Sequence, residues 1–213
     1  MILFVTGIEV PTERQRLSFM DKVPATSPGM KPLKMMKRLE LIRGEEEVHT
    51  DFIHEQYGIV ALRGGFLRHG HLEMIRLGIS RRINTKKMFA IWRVESPWKP
   101  HSKKGQGKRM GGGKGSNSYY TTPVKAKRVL IEVAGKCTFE EVKPMLDIIA
   151  HKLPFPAAVM SQQMIEEQRK EDERLEKENI NRYTFKYILQ NNLLGSKMWA
   201  RKKTDLKYFG KYV

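Results

Sequence analysis

Val129-Leu130-Ile131-Glu132-Val133, followed after a short gap by Thr138-Phe139-Glu140-Glu141-Val142, decides the fold. The first run alternates so that Val129, Ile131 and Val133 share one face, the signature of a half-buried strand. In the second, Thr138 and Glu141 stand three apart ahead of an apolar stripe. Hydroxyl and carboxylate at that spacing can each satisfy a backbone N–H that the other's end of the turn leaves unpaired, which starts a helix. Val142, Met145, Ile149 and Leu153 continue it at three- and four-residue spacing. Pro144 inside that stripe is expected to kink the helix or delay its start, since its ring opposes the preceding turn and it donates no hydrogen bond.

Upstream, the same two periodicities recur. Ile59-Val60-Ala61-Leu62 reads as a short strand closed by Gly64-Gly65, and Met88 to Val94 as another. Leu72, Ile75, Ile79 and Ile83 lie on one face of a helix, with Arg81 and Arg82 near its C-terminal end, where the helix dipole favours positive charge. Gly78 within it costs about 1 kcal/mol relative to alanine. A long loop is expected between Val94 and Val129. Strands and helices in this order are expected to be flanked by an extended N-terminal arm and a helical C-terminal extension. The expected division is 1–57 for the arm, 58–160 for the core and 161–213 for a charged helix and basic tail.

The arm carries Pro11, Pro24, Pro28 and Pro32 and the acidic patch Glu45-Glu46-Glu47, and is expected to supply little core. Ile165 to Glu178 holds seven acidic and four basic residues, with Glu166–Lys170 and Glu173–Lys177 in the favourable i, i+4 order. So polar a helix has almost no core-facing stripe and is expected to cross solvent or lie on a partner, unless it is disordered. The tail mixes basic residues with Tyr183, Phe185, Tyr187, Trp199, Tyr208, Phe209 and Tyr212, which suits either base stacking or a small packing surface.

Charge is distributed unevenly. Of 213 residues, 40 are Lys or Arg and 23 are Asp or Glu, for a formal net charge of +17. Arg81 to Arg128 holds 14 of the basic residues and one acid, Glu95. Self-repulsion of that size does not help folding, whereas each cation set on a phosphate releases condensed counterions, so a nucleic acid is the expected partner. The same window contains Gly111-Gly112-Gly113-Lys114-Gly115. Glycines there let the backbone take positive φ and approach a large partner closely, while Lys108, Arg109 and Lys114 supply charge; a solvated surface loop is the plainer alternative.

Other chemistries find no support. The phosphate-loop pattern fails at both ends, with Lys108 in place of its first glycine and Gly115 in place of Ser or Thr. His69 and His71 lack further ligands, so a phosphate contact or solvent is expected instead of a metal. His54-Glu55 has no second histidine, and no nucleophile elbow exists. Cys137, the one cysteine, excludes an internal disulfide; it sits near a helix start, which can activate a thiol, though a small semi-buried residue is the default. His151 is expected on or beside the apolar side of its helix. Trp92 and Trp98 bracket Pro97 and could stack on bases, but core packing and a loop anchor are the expected roles. Met1–Val10 is too short and poorly flanked for a signal peptide, Glu9 and Glu13 interrupt an arginine-rich leader, and no membrane span is expected. No cofactor, catalytic residue or metal site is expected.

Phe89-Ala-Ile-Trp-Arg-Val, Trp98-Lys-Pro, Lys108-Arg-Met-Gly-Gly-Gly-Lys-Gly, Tyr119-Tyr, Pro123-Val-Lys and His151-Lys-Leu-Pro, in that order, closely resemble the universal large-subunit ribosomal protein of the L-sixteen family. The charged extensions and the triple glycine make the chain similar to the mitochondrial branch. The resemblance spans about 58–160 and implies an α+β fold, a mixed, mainly antiparallel sheet with two packed helices. It implies a non-enzymatic structural constituent of the mitochondrial large ribosomal subunit, located in the matrix, binding large-subunit rRNA and neighbouring mitochondrial ribosomal proteins. The loop Arg109, Met110, Gly111, Gly112, Gly113, Lys114 and Gly115 would reach toward the peptidyl-transferase region and the aminoacyl-site tRNA. Expected rRNA contacts are Arg63, Arg68, Arg76, Arg81, Arg82, Lys86, Lys87, Arg93, Lys99, Lys103, Lys104, Lys108, Lys125, Lys127 and Arg128.

Three positions depart from the family pattern: Gly112 stands where bacterial members have lysine, Lys127 replaces a turn glycine, and Pro144 is unusual in its helix. Two other function classes remain. A release-factor-like hydrolase acting on ribosome-bound tRNA would need Gly-Gly-Gln, and only Gly105-Gln106-Gly107 is present. A membrane-surface or protein-interaction module would gather its charge on one amphipathic helix.

Overall fold

The computed structural model describes residues 10–11, 15–200 and 203–212. The leader reading of Met1–Val10, with Glu9 and Glu13, therefore falls almost entirely outside the described residues. The elements are β1 (Tyr57–Ala61), β2 (Gly65–Arg68), α1 (His69–Ser80), β3 (Met88–Trp92), β4 (Lys99–Ser102), β5 (Asn117–Val124) and β6 (Val129–Gly135). They are followed by α2 (Phe139–Ala150), β7 (Ala157–Ser161), α3 (Gln162–Glu178), α4 (Phe185–Gln190), α5 (Ser196–Trp199) and α6 (Lys203–Tyr208).

The class is α+β, with the strands in two sheets ordered β3-β6-β1-β7 and β2-β5-β4. All pairings between these strands are antiparallel; among the described residues the parallel contribution is a single bridge, Glu45 to Ala126. The helices α1 and α2 pack on each other, and α2 also covers β1 and β7. Their expected stripes are inside: Leu72, Ile75, Ile79 and Ile83 from the first, Val142, Met145 and Ile149 from the second. A Cβ on Gly78 would come within 3.2 Å of the Ile149 side chain, so this glycine lets α1 approach α2. The Thr138–Glu141 box forms, with the Thr138 N–H donating to the Glu141 carboxylate at 3.3 Å. With that cap in place α2 begins at Phe139 and carries Pro144 in its interior, without a delayed start.

One expectation, the face of Val129, is corrected, and the arm and the polar helix each add to the core. Val129 does not share a face with Ile131 and Val133. Ile59 pairs with Ile131 but Val60 pairs with Val129, so Leu130 is an extra residue in β6. That bulge turns Val129 away from the main core to the face of Val60, where both form a second cluster with Phe52 and Ile165. The arm is not empty of core: Leu17 and Met20 belong to the main cluster. Ala90 N–H donates to the Gln15 carbonyl and Trp92 Nε1–H to the Ser18 carbonyl, so this segment covers the open edge of β3. The polar helix α3 also has one buried anchor, Ile165.

The stretch expected as a long loop contains the β4–β5 hairpin. Pro123 in β5 lies beyond the last β4 pair, Lys99 with Thr121, where the strand is open on that side and proline is tolerated. The arm passes along this hairpin, with Asn117 Nδ2–H donating to the Leu33 carbonyl at 2.8 Å and Met35 N–H to Ser102 Oγ at 3.3 Å. At the other end of the chain, Tyr208 sits over Gly44, and Lys207 pairs with Glu47. Among the described residues, no helix is long and apolar enough to cross a membrane.

Candidate nucleic-acid interface

The β4–β5 hairpin carries the glycine-rich segment at its tip. Gly107, Gly111, Gly112 and Gly113 all have positive φ, between +65° and +94°, and a Cβ at any of them would meet nothing within 4 Å. The glycines therefore serve backbone conformation, in open space, as a side-chain-bearing residue would be strained there. Lys103, Lys108, Arg109, Met110 and Lys114 are exposed, Met110 almost fully. Two lysines hold the tip: Lys104 donates to the Arg109 and Gly111 carbonyls, and Lys114 to the Met35 carbonyl. Gly115 sits at the neck, where a Cβ would come within 2.6 Å of the Lys103 carbonyl oxygen.

A second basic group gathers where α1 ends and β3 begins. Arg81, Arg82, Lys86 and Lys87 are exposed there, and Lys136 joins them because Met88 pairs with Gly135 and the Lys136 N–H donates to the Lys87 carbonyl. Arg63 is exposed after β1, Lys125 is half-buried, and Arg68 is exposed at the end of β2.

Five expected RNA contacts are committed to the protein itself. Lys99 is buried, its ammonium donating to the Arg38 carbonyl and lying 4.3 Å from the Phe66 ring centre; burial pushes its pKa down. Arg93 is half-buried, 3.9 Å from the fully buried Glu132 carboxylate and bonded to the Asp51 carbonyl. That carboxylate also accepts the Ile53 and His54 N–H groups, which fixes the chain entering β1. Arg128 pairs with Glu46 at 3.2 Å, Lys127 with Glu45 at 2.8 Å, and Arg76 with Glu73 at 2.8 Å. A side chain already neutralised by a neighbouring carboxylate has less to gain from a phosphate. The acidic patch thus serves Lys127 and Arg128, a pairing across about eighty positions that local sequence does not signal.

The remaining candidates resolve as follows. His69 Nε2 lies 3.1 Å from the Met20 carbonyl oxygen, and His71 Nδ1 accepts the Arg68 N–H at the start of α1. Among the described residues no group of three or more His, Cys, Asp or Glu could hold a metal ion. Cys137 is half-buried, and burial, followed by the Glu141 charge, pushes its thiol up to about 11, so the helix start does not activate it. His151 is exposed at the C-terminal cap of α2, away from the expected apolar side. Trp92 packs on the core, and Trp98 is exposed. Tyr208 and Tyr212 close over the Glu45–Lys127 region, while Tyr183 and Trp199 stay exposed.

Sequence reasoning missed the flat-group cluster on the smaller sheet, where His101 stacks on Tyr119 with ring centres 4.8 Å apart and Arg68 lies over the same ring at 4.4 Å. The motif Tyr119-Tyr120 was the available signal, but His101 meets it only through the unexpected hairpin.

The family model described as Ribosomal protein L16p/L10e matches residues 29–160. The large ribosomal subunit protein uL16 of Agathobacter rectalis is 36% identical over 111 residues, covering 52% of this chain and 74% of that protein. A family match spanning more than half its length, with that relative, shows that the chain belongs to the L16p/L10e family of structural, non-enzymatic ribosomal proteins.

Proposed function

We propose that this chain is an RNA-binding component of the large ribosomal subunit of mitochondria, seated on large-subunit rRNA, with the Arg109–Gly115 tip near the peptidyl-transferase region and the aminoacyl-site tRNA. The observation that carries the reading is the hairpin tip: exposed cations on a backbone whose glycines keep side chains out of the way. Such a tip suits close approach to a folded RNA backbone. The exposed cations at the end of α1 form a second contact, and those already paired to Glu45, Glu46, Glu73 and Glu132 serve the fold.

The mitochondrial assignment rests on the charged extension after residue 160, outside the family match, and on the triple glycine of the hairpin tip. In this reading 58–160 meets rRNA, while 1–57 and 161–213 meet neighbouring mitochondrial ribosomal proteins. Ile180 and Leu194, both 98% exposed, give the C-terminal extension apolar groups for a protein partner to cover. The test is aminoacyl-site tRNA binding and peptide-bond formation by purified mitochondrial ribosomes carrying Arg109→Ala or Gly112→Val. Both variants are expected to incorporate and to lower these activities; normal activity in both at full incorporation overturns the placement of the tip.

A further inference from the structure

We propose that the cavity between β2, the β4–β5 hairpin and the start of α1 takes one unpaired nucleotide of the bound RNA, its base on the aromatic surface and its phosphate at Arg68. This rests on the RNA-binding reading above and narrows it to a chemical class and a place. The cavity measures about 370 Å³ and is lined by Phe66, Arg68, His71, His101, Tyr119 and Thr121, with Pro154 at its edge. That volume falls in the range of small-molecule sites. Among the described residues no carboxylate lines it, so none of them opposes an anion there.

The flat groups are ordered. His101 and Tyr119 are stacked with their planes 6° apart, and Phe66 meets His101 edge-on. The Arg68 guanidinium lies over Tyr119 and donates to its hydroxyl at 3.3 Å. Strand pairing fixes these positions, since His101 is opposite Tyr119 and Arg68 opposite Thr121. His101 Nε2 is held 2.8 Å from Thr121 Oγ1. Preorganised rings beside an exposed guanidinium recognise a base and a phosphate together, because every base has a face to stack and each carries its phosphate.

The two histidines keep the surface neutral. Burial lowers His71, helped by the Arg68 charge, and burial lowers His101, helped by Lys99 and Arg68. The titratable or charged groups facing the cavity are therefore Arg68, His71, His101 and Tyr119, with Lys99 behind Phe66. The positive charge offered to a ligand is that of Arg68.

The test uses the full chain and a short single-stranded RNA carrying one 2-aminopurine, with AMP and ribose 5-phosphate as competitors. Binding is expected to quench the 2-aminopurine, and AMP to compete better than ribose 5-phosphate. Tyr119→Leu and Arg68→Gln should each weaken binding of this RNA about tenfold and remove the quenching, whereas Tyr119→Phe should keep it. Equal competition by AMP and ribose 5-phosphate, or quenching that survives in Arg68→Gln and in a folded Tyr119→Leu, overturns the proposal. Should Tyr119→Leu lose cooperative unfolding, Arg68→Gln decides alone. If the pocket fails while structured RNA still binds with a steep salt dependence, only the pocket is lost; if both fail, the RNA-binding reading falls too.

Discussion

The ammonium of Lys127 lies 2.8 Å from the Glu45 carboxylate, on a residue whose φ is +64°. Glycine is the residue that adopts this conformation without strain, and an L side chain there costs about 1 kcal/mol or more. The Lys127 N–H nevertheless donates to the Ala61 carbonyl at 2.6 Å, closing the turn before β6. The side chain thus supplies a half-exposed ion pair and a contact with the Tyr212 ring in compensation for the backbone. A pair of that kind contributes about 0–1 kcal/mol. Lys127→Gly is expected to be about 1 kcal/mol more stable than Lys127→Ala, since both lose the pair and only glycine relieves the strain. Denaturant unfolding of the two variants checks it; equal stability contradicts the account.

Ile165 anchors α3 against Phe52, Val60 and Val129. Ile165→Ala should cost about 2 kcal/mol or more, as for other buried isoleucines, whereas the exposed Leu175→Ala should stay within about 0.5 kcal/mol. Truncation after Met160 is accordingly expected to destabilise the sheet by uncovering its face away from the main core, and truncation after Glu178 to spare the Ile165 contact. Thermal unfolding of the four variants separates these outcomes.

His71 and His101 are both held below their ordinary 6.5, chiefly by burial. Between the folded and unfolded values, the unfolded chain binds more protons, so stability from keeping these rings neutral is present above 6.5 and is lost as pH falls toward the folded values. His71→Gln/His101→Gln should therefore flatten the decline in stability below pH 6.5 relative to the parent chain. Denaturant midpoints measured across that range test the sign; a steeper decline in the double variant contradicts it.

Cys137, with its thiol pushed up to about 11, is almost wholly protonated at neutral pH. The reactive species is the thiolate, so iodoacetamide should label the native protein much more slowly than the urea-unfolded chain. Comparable rates would show an activated or open thiol.

The helices α1 and α2, the strands β1, β3 and β6, and the Thr138 cap were legible because their apolar periods and cap spacing are local. The Leu130 bulge was not: alternation alone assigns Val129 to the wrong side, and only the partner strand reveals the extra residue. Lys99-Pro100-His101-Ser102 has no strand-like alternation and forms β4 because Tyr119, Tyr120 and Thr121 pair with it. Leu17 and Met20 lie in a stretch without apolar periodicity, and their burial depends on the open edge of β3. For the candidate interface, charge density marked the basic window as a region. It could not show that Arg93, Lys99 and Arg128 meet Glu132, the Arg38 carbonyl and Glu46 inside the fold, because those partners are distant in the chain.

The central claim is that exposed cations, with those of the hairpin tip prominent among them, bind RNA phosphates. It is tested most directly by the salt dependence of binding between the purified chain and large-subunit rRNA, compared with a Lys108→Gln/Arg109→Gln/Lys114→Gln variant. The parent should lose affinity steeply with salt, and the variant's log–log slope should be shallower by about 0.7–0.9 for each phosphate contact removed. A slope near zero in the parent, or an unchanged slope in the variant, contradicts the account.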